Sequence, residues 1–183
     1  MIDDDERVIV VSECDVELGE AAKLDVHRTG TLHRAFSVFV LDANGRVLLQ
    51  RRAVGKYHSP GLWSNSCCGH PRPGEETGVA ARRRLGEEMG IDADLIFLTS
   101  FIYSAALDRG LIEHELDHVF VGSTVSLPHH DPVEVGAWRW MDVAAVSDWL
   151  DAEPWAFTAW FAPAFERLLT AGEHCGLEAS RRN

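Results

Sequence analysis

The chain has 183 residues, 46% hydrophobic and 25% charged, with a formal net charge of −12. That length suits one domain with a sizeable core, in the composition range of a soluble globule. There is no run of about 18 apolar residues to form a transmembrane helix. The acidic balance argues against nucleic-acid binding through overall charge.

The N-terminus, MIDDDERVIV, is acidic rather than basic, so no signal peptide is expected. The cysteines are Cys14, Cys67, Cys68 and Cys175. None forms a CxxC pair, and adjacent Cys67-Cys68 is a poor disulfide candidate. A reducing, cytoplasmic setting follows. A monomer is expected, with neither nucleic acid nor membrane as partner.

In chain order, residues 1–7 read as a loose acidic tail, 8–175 as a single domain and 176–183 as a C-terminal tail. Val8 to Val11 is a short strand. Residues 12–32 have little pattern, with a strand near Val16 and a helical turn at Ala21-Ala22. His33 to Asp42 and Arg46 to Arg52 are strands flanking Asn44-Gly45, a strong hairpin signal. Residues 53–62 form a loop.

Then comes Trp63 to Ile91, WSNSCCGHPRPGEETGVAARRRLGEEMGI. It reads as a short strand, a turn broken by Pro71, Pro73 and Gly74, and a helix. Glu75-Glu76-Thr77 starts that helix and Gly90 caps it. Arg84 and Glu88, four residues apart, share one face. Beyond it, Leu95 to Ser104 and Glu113 to Thr124 are strands around a turn at Asp108-Arg109-Gly110. Pro128 to Pro132 is a loop and Val135 to Met141 a strand. A helix capped by Asp142 ends near Asp151. Thr158 to Ala171 is a last amphipathic helix. With strands dominant and about three helices packed on them, the class is α+β.

Charge is unevenly placed. Between Arg46 and Arg84 lie eight basic residues, opposed only by Glu75 and Glu76. Arginine suits a diphosphate because its planar fork binds phosphate oxygens bidentately. Of adjacent Arg51 and Arg52, a strand turns only one inward. Glu113 and Glu115, two apart on a strand, face one side and suit a hard divalent cation. Imidazoles beside them would favour Mn2+ or Zn2+. The chain has nine histidines, and spacing does not choose among them.

The run Gly69-x5-Glu75-x7-Arg83-Arg84-Leu85-x-Glu87-Glu88-x-Gly90-Ile91 resembles the Nudix box at every fixed position but Arg84, where the hydrolase pattern has a metal-binding Glu. With WSNSCCGHP, YSAALDRGLIEHE and PWAFTAW, residues 20 to 165 resemble type I isopentenyl-diphosphate isomerases. The resemblance implies an α/β/α sandwich on a mixed sheet, with the box as loop plus helix.

It also implies roles. Metal ligands would be His27, His33, His70, Glu113 and Glu115, holding Mn2+, Zn2+ or Mg2+. Cys68 and Glu115 would be the proton-transfer pair, with Tyr103 assisting at the Glu115 face. Trp160 would set its π face beside a tertiary carbocation, a contact worth about 2 kcal/mol or more when desolvated. Lys23, Arg52, Lys56 and Arg84 would bind the diphosphate. Glu88 and the Cys68 carbonyl would hold the Mg2+ that arrives with it. Cys67 reads as a small buried hydrophobe, and His114, His118, His129 and His130 as ordinary histidines.

The implied reaction interconverts isopentenyl and dimethylallyl diphosphate by protonation and deprotonation, supplying isoprenoid precursors. The alternatives are a Nudix hydrolase of a nucleoside diphosphate derivative and a non-catalytic diphosphate-binding module. The hydrolase needs the box carboxylate that Arg84 replaces. The module would not need Cys68, Tyr103 and Glu115 together.

Overall fold

The structure is a computed structural model that describes residues 6–175. Its strands are β1 (Arg7–Val11), β2 (Glu17–Ala22), β3 (His33–Leu41), β4 (Val47–Arg52), β5 (Trp63–Ser64), β6 (Cys67–Gly69), β7 (Leu95–Ala106), β8 (Ile112–Ser123) and β9 (Val135–Met141). Four α-helices join them: α1 (Lys23–Thr29), α2 (Thr77–Met89), α3 (Val143–Ala152) and α4 (Phe161–Cys175). Of the segments read as tails, 1–5 and 176–183 lie outside the described residues. Arg7 already opens β1, and Glu6 pairs with Lys23 at 3.0 Å.

β3 is the spine. It runs parallel to β8 from the His33–Glu115 pair to the Leu41–Ser123 pair. Its side chains are buried on both faces, as a central parallel strand requires. Even-numbered Phe36, Val38 and Val40 pack toward Ala80, Ala81, Leu85 and Met89 of α2. Phe39 packs the other way, toward Phe161, Phe165 and Leu168 of α4. The strand period of two thus gives each face its own core, and the expected α/β/α layering follows. α2 is capped as read: Glu76 accepts from Val79 N–H at 2.8 Å, and Gly90 closes the helix at φ 64°.

Three expectations need correction. β3 and β4 do not form an extended hairpin; they pair only at Leu41–Val47. The segment between Trp63 and Gly69 separates them, β5 pairing with β4 and β6 with β3. Ser64, Asn65 and Ser66 are fully buried there. Ser66 Oγ donates to Leu48 O of β4 and accepts from Val40 N–H of β3, each at 2.8 Å. Asn65 Nδ2 donates to Cys67 O at 2.6 Å. This wedge satisfies backbone groups that a closed hairpin would have paired, and it sets Cys68 beside Ser37.

Second, the α-helices among the described residues number four rather than about three. α1 begins just after the expected turn at Ala21-Ala22, and only Val26 and His27 on it are buried, too few to give a helical period. Third, Asp142 stands at the N-cap of α3 but its side chain makes no capping hydrogen bond.

Candidate active site

A cleft of about 710 Å³ opens where β3 and β4 part. Lys23, Arg52, Lys56, Cys68, His70, Arg84, Glu88, Glu113, Glu115 and Trp160 all line it. Arg46, Arg51 and Arg82 of the basic segment do not. Arg46 is held by Asp42, Arg51 Nε donates to Gly61 O, and Arg82 pairs with Asp92. Arg51 is exposed and Arg52 buried, as strand alternation requires.

At the floor, α1, β3, the β6–α2 turn and β8 bring imidazoles and carboxylates together. Lys23 and His27 are one helical turn apart on α1. His27 Nδ1–H donates to Lys23 O at 2.7 Å, and His33 Nδ1–H donates to Thr31 O at 2.9 Å. Each ring therefore turns an Nε2 lone pair inward. His27 Nε2 lies 3.2 Å from Glu113 Oε2, yet neither atom has a hydrogen-bond partner. His33 Nε2 lies 3.2 Å from His70 Nε2 and 3.6 Å from Glu115 Oε1. One ligand atom each from His27, His33, His70 and Glu115 lie within 4.8 Å of one another.

Buried lone pairs pointed at one another are costly unless a cation sits among them. These residues therefore fit a divalent metal. Glu113 belongs to a second grouping, with His27 and His58. His58 was missed by sequence reasoning.

The titratable groups are set apart by environment. Burial pushes the Cys68 thiol up to about 12, although Arg52 pulls it back. Burial also raises Glu115, but the His33 and His70 rings that face its Oε1 outweigh it and hold the carboxyl well below its usual range. Tyr103 O–H donates to Glu115 Oε2 at 2.5 Å. Burial and the Glu115 charge push that phenol well above its ordinary value. Asp117 extends the acidic row on β8 and is 1% exposed. Burial and Glu115 raise it, and Ser37 Oγ donates to it at 2.8 Å. Cys67 is fully buried among α2 and sheet residues, as expected of a small hydrophobe.

Trp160 is 4% exposed, its Nε1–H donating to Ser64 Oγ at 2.9 Å. Arg52 Cζ stands 5.3 Å from its ring centroid, and His58 meets it edge-on at 5.7 Å. Arg84 Nη2 donates to Glu88 Oε1 at 2.5 Å, and Gln50 Nε2 to Glu88 Oε2 at 3.0 Å. Each of these carboxylate oxygens keeps a second lone pair. Lys56 pairs with Glu134. Glu134 and Glu6 also line the cleft, and Gln50 lies behind Glu88; no sequence motif singled them out.

His114 Nδ1 meets Gly30 O at 2.8 Å, and His118 meets Ala35 O and Asp15. Neither joins the metal-ligating groups among the described residues. No described helix is long and apolar enough to cross a membrane.

A two-faced mixed sheet with a proline- and glycine-broken turn leading into α2 is the architecture of a NUDIX domain, and the NUDIX domain family model matches residues 31–161. A solved structure from Deinococcus radiodurans superposes with a TM-score of 0.67 at 20% identity, covering 80% of this chain and 90% of that one. A MutT NUDIX hydrolase from Burkholderia pseudomallei gives 0.59 at 21% identity, covering 75% and 98%. At such identities these neighbours speak to fold alone.

Sequence relatives go further. The isopentenyl-diphosphate Delta-isomerase of Serratia proteamaculans is 51% identical over 164 residues, 90% of this chain and 92% of its own. That of Burkholderia multivorans is 50% identical over 163 residues, covering 89% and 93%. The chain belongs to the NUDIX family, within its isopentenyl-diphosphate Delta-isomerases.

Proposed function

We propose that this chain interconverts isopentenyl and dimethylallyl diphosphate, using Cys68 and Glu115 as its proton-transfer pair. The observation that carries this reading is geometric: Cys68 and Glu115 line one cleft together with Trp160 and the cations Lys23, Arg52, Lys56 and Arg84. Moving a double bond by one carbon adds a proton at one carbon and removes one from another. One group able to give a proton and one able to take it are what the reaction needs, and they exchange roles in reverse. Tyr103 positions the Glu115 carboxylate through its 2.5 Å hydrogen bond.

Trp160, fixed by Ser64, offers an aromatic wall to the carbocation, and burial of the floor excludes the water that would capture it. Lys23, Arg52, Lys56 and Arg84 bind the diphosphate. His27, His33, His70, Glu113 and Glu115 would hold a divalent metal. Its charge would offset that of the two carboxylates and tune the proton affinity of Glu115. Glu88 and the Cys68 carbonyl would hold the Mg2+ that accompanies the diphosphate. The reading includes a monomer acting in the cytoplasm, independent of nucleic acid and membrane.

The hydrolase alternative is weakened by the box helix itself. Arg84 contacts both Glu87 and Glu88, so a guanidinium occupies these box carboxylates. Cys68→Ala tests the proposal. It should keep the fold and retain metal while lowering kcat by about 10²–10⁴-fold, the usual share of one acid–base group. Turnover at the wild-type rate would remove Cys68 from the chemistry.

A further inference from the structure

Most of the cations assigned to the diphosphate already have a carboxylate. Lys23 has Glu6 at 3.0 Å and Arg84 has Glu88 at 2.5 Å. Arg52 has none within ion-pair distance among the described residues; it lies against Trp160 and donates to His58 O. Glu134 differs from the other acids because it serves two of these cations. Its Oε2 pairs with Lys56 Nζ, and its Oε1 lies 3.5 Å from Arg84 Nη2. It thereby joins the loop after β4 to the box helix.

Glu134 belongs to the cleft wall. Its backbone carbonyl accepts from Ala53 N–H at 3.0 Å, and its own N–H donates to Asp131 O at 3.1 Å. The next residue, Val135, is fully buried and starts β9. The side chain is held as well as the backbone, being only 24% exposed.

A diphosphate that reaches Lys56 and Arg84 competes with Glu134 for the same donors. Once they turn to phosphate oxygens, Glu134 is a carboxylate without a counter-ion beside a polyanion. Like charges so placed repel strongly in a partly buried cleft. A divalent cation carried on the diphosphate removes the conflict, since it is attracted by Glu134 as well as by the phosphate oxygens.

We propose that Glu134 is a specificity-determining residue that makes the cleft select the metal-complexed diphosphate over the bare anion. The proposal rests on reading Lys56 and Arg84 as diphosphate ligands. Glu134 acts by charge at the rim of the anion site and leaves the proton-transfer pair alone.

The test is calorimetric titration of metal-loaded enzyme with inorganic pyrophosphate, at low and at saturating free Mg2+. In the wild type, saturating Mg2+ should tighten pyrophosphate binding by at least about fivefold, the lower end of ordinary coupling between two ligands. Glu134→Gln keeps the shape and removes the charge. It should bind bare pyrophosphate more tightly than the wild type and show a smaller Mg2+ effect, the remainder being that of Glu88. Glu134→Asp should restore the dependence. A merely structural role would instead weaken both forms alike. An unchanged Mg2+ dependence in Glu134→Gln, or weaker binding of the bare anion, overturns the proposal. Lys56→Ala and Arg84→Ala should each weaken pyrophosphate at both Mg2+ levels. Indifference to both substitutions would overturn the anion-site reading itself, a result distinct from an unchanged Mg2+ dependence.

Discussion

Each oxygen of Glu113 faces a different imidazole: Oε2 lies 3.2 Å from His27 Nε2, and Oε1 lies 3.8 Å from His58 Nε2. His58 also meets Trp160 edge-on, so one ring touches both the carboxylate of the metal floor and the aromatic wall. A side chain that orients a ligating carboxylate is worth about 10–100-fold in metal affinity. His58→Ala should therefore lower metal retention by about that factor, read by competition with a chelating dye, and His58→Gln should recover part of it. Wild-type retention in His58→Ala would make the ring simple packing. Sequence reasoning chose His33 and His70 because they sit in motifs. It passed over His58 because the 53–62 loop has no periodicity, and proximity to Glu113 across the fold leaves no trace in spacing. Asp117 was missed although it extends the Glu113–Glu115 alternation by one step, a signal that was available.

At the scale of elements, α2 was legible almost to the residue. Its acidic start, its glycine stop and the i, i+4 pair of Arg84 and Glu88 are local signals, and all reappear in the structure. Gly90 is more than a helix stop. A Cβ there would lie 2.6 Å from the backbone oxygen of His129, at a φ of 64°. Gly90→Ala should cost about 1–3 kcal/mol. For a chain of this size that lowers Tm by about 2–4 °C for each kcal/mol, measurable by calorimetry. An unchanged Tm would mean that the His129 loop yields freely. The β3–β4 hairpin misled for a physical reason. Asn44-Gly45 does make the turn, but the strands part around the Ser64-Asn65-Ser66 wedge, whose hydrogen bonds are tertiary and long-range. α1 escaped notice because one buried turn carries no period.

Across the whole molecule, composition and alternation were enough for the class, and four spaced motifs were enough for the family. Neither could give the internal pairing of charge. The segment read as an anion pocket does supply Arg52, Lys56 and Arg84 to the cleft. Yet Glu134 and Glu6 come from distant parts of the chain to meet three of the cleft's cations. An acidic protein thus builds a cationic cleft by local placement and then balances it.

In the proposed reaction the chain shifts a double bond by moving protons while the diphosphate stays whole. Proton and phosphorus NMR of isopentenyl diphosphate, with metal-loaded enzyme and Mg2+ in D2O, tests it most directly. New methyl signals with deuterium incorporated and an intact diphosphate are expected. Release of orthophosphate or monophosphate would contradict it in favour of hydrolysis, and an unchanged substrate would contradict it in favour of a binding module.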